Sequence, residues 1–199
     1  MDYKKIIKFS IIFFAIAAIT MISSNPRWLP DFYEPRYFSI ISLISILLIL
    51  LPPVIFKNKE PHKQKIILEL QGLIAIALLL NYFGELGLFQ LYKIGFQYDK
   101  LVHFVVPFLM TIQAARFFHI WKEKSFKKSL VLSALTIMGS GFLWEVLEFT
   151  SDLLFKTKEW GVYGSYGWPD TIGDVAFNTI GVALGIFTLI FFNRKNQEK

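Results

Sequence analysis

The chain has 199 residues, of which 54% are hydrophobic, and its mean hydropathy is +0.49. This composition predicts an integral membrane protein rather than a soluble domain. The absence of cysteine excludes disulfides, thiolate nucleophiles and sulfur-ligated metals. A net charge of +6 in a soluble protein would suggest a nucleic-acid partner, but here the basic residues follow a membrane-topology pattern, so we expect no such partner.

Six apolar segments are long enough to cross a hydrocarbon layer of about 30 Å, which takes about 20 helical residues. In chain order they lie at roughly 7–23, 38–56, 66–83, 100–121, 129–150 and 172–192. The remaining segments are short loops, so the sequence predicts an all-α, polytopic bundle of six spans in the inner or plasma membrane. We divide it into residues 1–65, with two helices and a basic loop, and residues 66–199, a four-helix core.

The first apolar segment follows Lys4, Lys5 and Lys8, as the apolar core of a signal peptide would. Its apolar run continues through Ile22, which is longer than a typical signal core, and its small residues lie in the middle. We therefore expect this segment to be retained as a transmembrane helix.

Basic residues are concentrated before the first span, after the second and fourth spans, and after the sixth. They are Lys4, Lys5, Lys8, Lys57, Lys59, Lys63, Lys65, Lys122, Lys124, Lys127, Lys128, Arg194, Lys195 and Lys199. The alternate connections carry fewer basic residues, and acidic residues accompany them. Because cytoplasmic loops carry the excess of lysine and arginine, this pattern predicts that both termini are cytoplasmic.

Spans four, five and six carry polar residues near the ends that this topology places outside. They are Asp99, His103, Glu145, Glu148, Asp170, Asp174 and Asn178. A charged group at mid-bilayer costs roughly 3 kcal/mol, so several at a similar depth indicate a site. Asp99 and His103 are four residues apart, and Glu145 and Glu148 are three apart, so each pair shares one helix face.

Carboxylate, amide and imidazole groups are ligands for divalent cations. We consider all seven residues candidate metal ligands, with Mg, Ca or Mn favoured by the oxygens and Zn allowed by the histidine. His103, Glu145 and Asp174 are also candidates for catalytic acid-base chemistry. Structural alternatives remain: Asp99 and Asp170 can cap helix N-termini, Glu148 can be solvated, and the whole cluster can serve to order the bundle.

Two further patterns concern packing. Glu69 and Arg116 fall at a similar depth in the opposite half of the bundle, which predicts an ion pair. Gly181 and Gly185 form a small-xxx-small pair on span six, for which we expect close contact with span five.

Three motifs combine these residues: Tyr98-Asp99-Lys100-x-x-His103-Phe104, Trp144-Glu145-x-x-Glu148 and Asp170-Thr171-x-x-Asp174-x-x-x-Asn178-x-x-Gly181-x-x-x-Gly185. Over residues 85–185 they resemble the motifs of the YjdF-like family of small bacterial membrane proteins and the related VanZ-like proteins. VanZ-like proteins are associated with tolerance to glycopeptide antibiotics. The resemblance therefore implies a role at the outer face, near membrane lipids or lipid-linked cell-wall precursors.

These observations leave two classes of function open. One is an intramembrane enzyme acting on a lipid or polyprenyl-phosphate-linked substrate with a divalent cation. The other is a non-catalytic envelope, ion-binding or accessory protein in which the polar residues are structural. Continuous ion conduction is disfavoured because the middle of spans four and five is poor in polar residues.

Overall fold

The computed structural model describes residues 1–25, 35–155 and 167–197, and within these ranges the secondary structure is helical, with no strand. The six long helices are α1 Tyr3–Ser23, α2 Pro35–Ile55, α3 Pro61–Glu85, α4 Tyr98–Arg116, α5 Phe126–Phe155 and α6 Gly167–Gln197. A 3₁₀ helix, Leu88–Ile94, precedes α4, and a π-helical turn, Phe117–Trp121, extends it. All six helices are long and apolar enough to cross a membrane, which confirms the predicted polytopic all-α bundle.

Neighbouring helices in the first half of the chain run in opposite directions. The Ser39 hydroxyl at the start of α2 donates a 2.6 Å hydrogen bond to the carbonyl of Ala18, near the end of α1. The Tyr98 hydroxyl at the start of α4 donates a 3.0 Å bond to the carbonyl of Leu80, near the end of α3. Both bonds satisfy polar groups that lipid cannot satisfy.

The second half of the chain continues this alternation. The side chains of Lys100 and Asp170, at the starts of α4 and α6, are in contact, so these two helices run parallel. Glu145 near the end of α5 faces His103 near the start of α4. The N-terminus and the end of α6 therefore lie at one end of the bundle, here called the proximal end, and the opposite end is called distal. That the proximal end is cytoplasmic stays a prediction.

Helices α1, α2 and α3 pack around buried aromatic rings. Phe14 and Phe38 each meet Tyr82 edge-on, with ring centroids 5.4 and 5.6 Å apart. Their exposed fractions do not exceed 2%. Edge-to-face aromatic pairs contribute about 0.5–1.5 kcal/mol beyond the burial of their area, so these rings hold the three helices together.

Large apolar side chains cover the outside of the bundle. Ile19, Leu47, Leu135 and Ile172 are between 66% and 67% exposed. In water such a surface would drive association, whereas lipid tails solvate it. The exposed surface therefore agrees with a membrane setting.

Gly181 and Gly185 pack against α4, which corrects the expectation that they contact α5. A methyl group at Gly181 would overlap the carbonyl oxygen of Phe104, and one at Gly185 would lie 3.0 Å from the carbonyl oxygen of Phe108. Contact between α5 and α6 occurs elsewhere, where Gly141 faces the amide of Asn178. The small residues identify a close-packing face, but they do not name the helix that packs on it.

The predicted ion pair in the proximal half is confirmed. Nη1 of Arg116 lies 2.6 Å from Oε2 of Glu69, which is buried. Beside it, Nε2 of Gln113 donates a 2.9 Å hydrogen bond to the carbonyl of Ile66. These contacts join α3 to α4 and so connect the two halves of the bundle.

Candidate metal and acid-base site

Lys100 lies at the centre of a group of carboxylates at the distal end. Its Nζ is 3.0 Å from Oδ2 of Asp99 and 2.6 Å from Oδ1 of both Asp170 and Asp174. The parallel starts of α4 and α6 bring these four residues together. Gly173 leaves room for the lysine stem, because a Cβ there would lie 3.1 Å from Cε of Lys100. The ammonium group therefore ties α4 to α6 through Asp170 and Asp174, while Asp99 is its partner on α4 itself.

His103 lies one turn deeper and is surrounded by carboxylates from three helices. Its Nε2 is 3.4 Å from Oδ1 of Asp99 and 3.7 Å from Oδ1 of Asp174. Its Nδ1 is 4.0 Å from Oε1 of Glu145. The ring is 7% exposed, and the separations exceed those of ordinary hydrogen bonds to an N–H donor.

One ligand atom from each of Asp99, His103 and Asp174 lies within 4.8 Å of the other two, and this is an arrangement that can hold a metal ion. Asp99 can serve two partners, because its Oδ2 faces Lys100 while its Oδ1 faces the imidazole. Imidazole and carboxylate together suit several divalent cations. These three donor atoms do not by themselves specify which divalent ion would bind.

Glu145 has a buried oxygen that lacks a hydrogen-bond partner among the described residues. The residue is 5% exposed, and its Oε1 is the atom that points towards His103. Leaving a buried polar atom unsatisfied costs about 1–3 kcal/mol, and more when it carries a charge. A proton on the carboxyl group, or a positive charge on or beside the imidazole, would offset this cost.

Asp99, Glu145, Asp170 and Asp174 thus surround Lys100 and His103, and we call these six residues the polar cluster. Four carboxylates outnumber the two basic side chains even when the imidazole is protonated. Uncompensated charge is costly in surroundings of low dielectric constant. The cluster therefore favours an additional proton or a bound cation.

The two other predicted ligands lie outside the polar cluster. Asn178 is 4% exposed, and its amide packs against Gly141, one turn below Asp174 on α6. Glu148 accepts a 2.7 Å hydrogen bond from Nε1 of Trp144 on its own helix. Five of the seven predicted residues therefore come together around Lys100 and His103.

The capping interpretation of Asp99 and Asp170 is wrong. Helix α4 begins at Tyr98 and α6 at Gly167, so both aspartates lie inside the first helical turn. A carboxylate in this position interacts favourably with the helix dipole. Their carboxylates contact Lys100 as well, which links each helix start to the polar cluster.

A family model matches residues 7–195, and the family is described as predicted membrane protein, DUF2238. The chain belongs to this family. No curated protein matches the chain, and no solved structure matches it. The family description and the six apolar helices together establish a multi-pass membrane protein, and the description carries no activity.

Lys100 is the member of the DUF2238 polar cluster that sequence reasoning left out of the candidate site. A signal for it exists, because Lys100 is three residues before His103 and shares its helix face. A lysine within a membrane span needs counter-ions, and Asp99 is the only acidic residue on α4. The other two, Asp170 and Asp174, come from α6, and a single span does not reveal its partner helix.

An apolar cavity of about 460 Å³ adjoins the polar cluster in this DUF2238 protein. Residues of α2, α3, α4 and α5 line it, together with Asn178 of α6. His103 belongs to both the polar cluster and the cavity lining, so its ring forms the boundary between them. No sequence pattern indicated this cavity, because it depends on how α2 and α5 flank α3 and α4.

Proposed function

We propose that this protein is an intramembrane enzyme that binds a divalent cation through Asp99, His103 and Asp174 and acts on a lipid-linked substrate. The observation that carries the proposal is the buried Asp-His-Asp group, whose ligand atoms lie within 4.8 Å of one another. It stands beside an apolar cavity rather than inside a solid helix interface. Bundle cohesion alone requires neither feature.

The distances between the donors support a cation at this position. In a tetrahedral site with metal–ligand bonds of about 2.1 Å, neighbouring ligand atoms lie about 3.4 Å apart. The separations of 3.4 and 3.7 Å from Nε2 of His103 to the two aspartate oxygens are close to that value. Two carboxylates and one imidazole allow Zn as well as the harder ions Mg and Mn.

Each residue would then have a defined role. A bound cation would polarise a carbonyl or phosphoryl oxygen and lower the pKa of a bound water. Glu145 lies on the Nδ1 side of His103, where metal-binding histidines usually donate to a carboxylate. Glu145 would orient the ring and take up a proton during the reaction.

Other features support a role in the cell envelope. The basic residues predict that the distal end faces outward, in the inner or plasma membrane. The resemblance to the YjdF-like and VanZ-like proteins points to the same face. A lipid or polyprenyl-phosphate-linked substrate would reach this end from the outer leaflet.

One contact favours a second candidate, a non-catalytic protein in which the polar cluster orders the bundle. Lys100 bridges Asp99 on α4 with Asp170 and Asp174 on α6, which is what a purely structural ion network would do. His103 and Glu145 are not needed for that bridge. The two candidates therefore differ in what substitutions of His103 and Glu145 do.

Metal content distinguishes the candidates. The wild-type protein, purified in detergent after growth with Mn, Mg and Zn, is expected to retain one divalent ion per chain by inductively coupled plasma mass spectrometry. His103→Ala and Asp174→Asn are expected to lose it, whereas Glu148→Gln, outside the polar cluster, retains it. If the wild type holds no ion and none of the three metals raises its melting temperature, the enzyme proposal fails and the structural candidate is favoured.

A further inference from the structure

We infer that the apolar cavity binds one acyl chain of a membrane glycerophospholipid, with the lipid headgroup at the His103 end. The placement of the headgroup rests on the proposed function, and the acyl-chain site does not. Four observations support it: the direction of the cavity, its length, the distribution of polar lining residues and its exposure to the bilayer.

The cavity runs along the helices from the proximal half of the bundle to the polar cluster. Pro52 of α2 and Phe56, which directly follows α2, line its proximal part. Asn81 near the end of α3, His103 near the start of α4 and Trp144 of α5 line its distal part. The alternating helix directions place these three residues at the same end.

The length of the cavity matches one leaflet of a bilayer. On α3 its lining extends from Leu70 to Asn81, a rise of eleven residue steps, or about 17 Å at 1.5 Å per step. A hydrocarbon layer of about 30 Å gives about 15 Å for each leaflet. One extended acyl chain of a leaflet therefore fits along the cavity, and its volume of about 460 Å³ lies within the usual range for small-molecule sites.

The lining is apolar along its length and polar at the distal end. Ile74, Leu78 and Val106 are typical of the walls. The side-chain polar groups are concentrated near His103 and Asn178. An amphiphile would bind with its hydrocarbon chain towards the proximal end and its polar head beside the carboxylates and Lys100.

The cavity is accessible from the lipid phase. Leu48, Leu51 and Ile55 line it and are 40%, 45% and 57% exposed, so the described helices leave this wall of α2 partly uncovered. These residues lie in a helix that can span the membrane, so their exposed surface faces acyl chains. A lipid can therefore enter sideways without crossing water.

Photocrosslinking tests the inference on the full-length protein. The protein is reconstituted in vesicles of phosphatidylethanolamine and phosphatidylglycerol that contain phosphatidylglycerol with a diazirine on one acyl chain. After irradiation, peptide mass spectrometry is expected to locate most adducts on cavity-lining residues of α2 to α5. Adducts spread evenly over all exposed helix faces would overturn the inference.

A variant that fills the cavity makes the test specific. Ala77→Phe places a ring in the α3 wall, so labelling of the lining is expected to fall roughly tenfold, equivalent to about 1.4 kcal/mol. Ala183→Phe, on the exposed face of α6 and outside the lining, is the matched control and should label like the wild type. Ala77→Leu serves if Ala77→Phe does not fold. Unchanged labelling in the folded Ala77 variant overturns the inference.

Two further arms separate the alternatives. Competition by unlabelled undecaprenyl phosphate, with none by unlabelled phosphatidylglycerol, would assign the cavity to an isoprenoid and overturn the acyl-chain inference. Asp174→Asn should lose the metal while keeping cavity labelling, because its side chain does not line the cavity. If the wild type binds no metal but its cavity lining is labelled, the proposed function alone is rejected. If it binds a metal but its cavity lining is not labelled, the acyl-chain site alone is rejected.

Discussion

Among single residues, Lys100 has the largest expected effect on stability. Lys100→Met leaves Asp170 and Asp174 without their 2.6 Å ammonium contacts, and breaking a buried ion pair on one side costs about 3–5 kcal/mol. Partial exposure of the lysine, 15%, places our expectation at the lower end, about 3 kcal/mol. Thermal unfolding in detergent measures it. Lys127→Ala, an exposed lysine at the start of α5, should change the stability by less than about 0.5 kcal/mol.

The same residue allows a test of pairing. In Lys100→Met/Asp170→Asn one carboxylate charge is removed along with the ammonium, so the double variant should be more stable than Lys100→Met alone. A double variant that is less stable than either single variant would contradict the ion pairs between Lys100 on α4 and the aspartates on α6.

Glu145 is expected to act on metal affinity rather than on folding. Glu145→Gln keeps the volume of the side chain but removes the charge that faces Nδ1 of His103. Substitution of such an orienting carboxylate typically weakens metal binding by about 10- to 100-fold. Calorimetric titration with Mn or Zn measures the change, with Glu148→Gln as the control. Equal affinities in the two variants would show that Glu145 does not support the metal ligands.

The residue composition of the site was partly predictable from the sequence. Helical spacing placed Asp99 with His103, and depth within the spans placed Glu145 and Asp174 near them, because both depend on a single helix at a time. The place of Lys100 depends on which helix lies beside α4. Glu148 was included because it is three residues from Glu145, but its carboxylate bonds to Trp144 instead.

For the helices, close contact between α4 and α6 is the feature most open to test. A methyl group at Gly181 would overlap the backbone of α4, so Gly181→Ala should be destabilising by about 1–3 kcal/mol. Gly139→Ala is the matched control, because a Cβ at Gly139 meets nothing within 4 Å and alanine favours the helix. Melting temperatures of the two variants in the same detergent give the comparison. If the two variants have the same melting temperature, α4 and α6 do not make the close contact at Gly181.

The number and positions of the helices followed from hydropathy, since the bilayer sets the length of each span. Their partners did not follow. In lipid, apolar side chains do not distinguish a neighbouring helix from acyl chains, so helix pairing is decided by small residues and polar contacts. Gly181 and Gly185 signalled a close approach correctly, while the choice of α4 over α5 depended on the three-dimensional packing.

For the whole molecule, the orientation in the membrane is the main untested prediction. The chain lacks cysteine, so single cysteines can be introduced without background labelling. We expect Lys93→Cys, at the distal end, to react with a membrane-impermeant maleimide in intact cells. Lys59→Cys and Lys127→Cys, at the proximal end, should react only after the membrane is opened. The reverse pattern would place the polar cluster on the cytoplasmic side.

The arrangement of the polar cluster on the bundle also determines which part of it can move. Lys100, Asp99, His103, Asp170 and Asp174 all belong to α4 and α6, whose backbones meet at Gly181 and Gly185. Sliding of one of these helices along the other would bring a residue with a side chain to the place where only glycine fits against the α4 backbone, so the register of α4 and α6, and with it the spacing of the donor atoms, is fixed by packing. Glu145 comes from α5, which takes no part in this close contact between α4 and α6. A tilt of α5 would therefore change the distance from Glu145 to the imidazole, while the distances among Asp99, His103 and Asp174 stay the same.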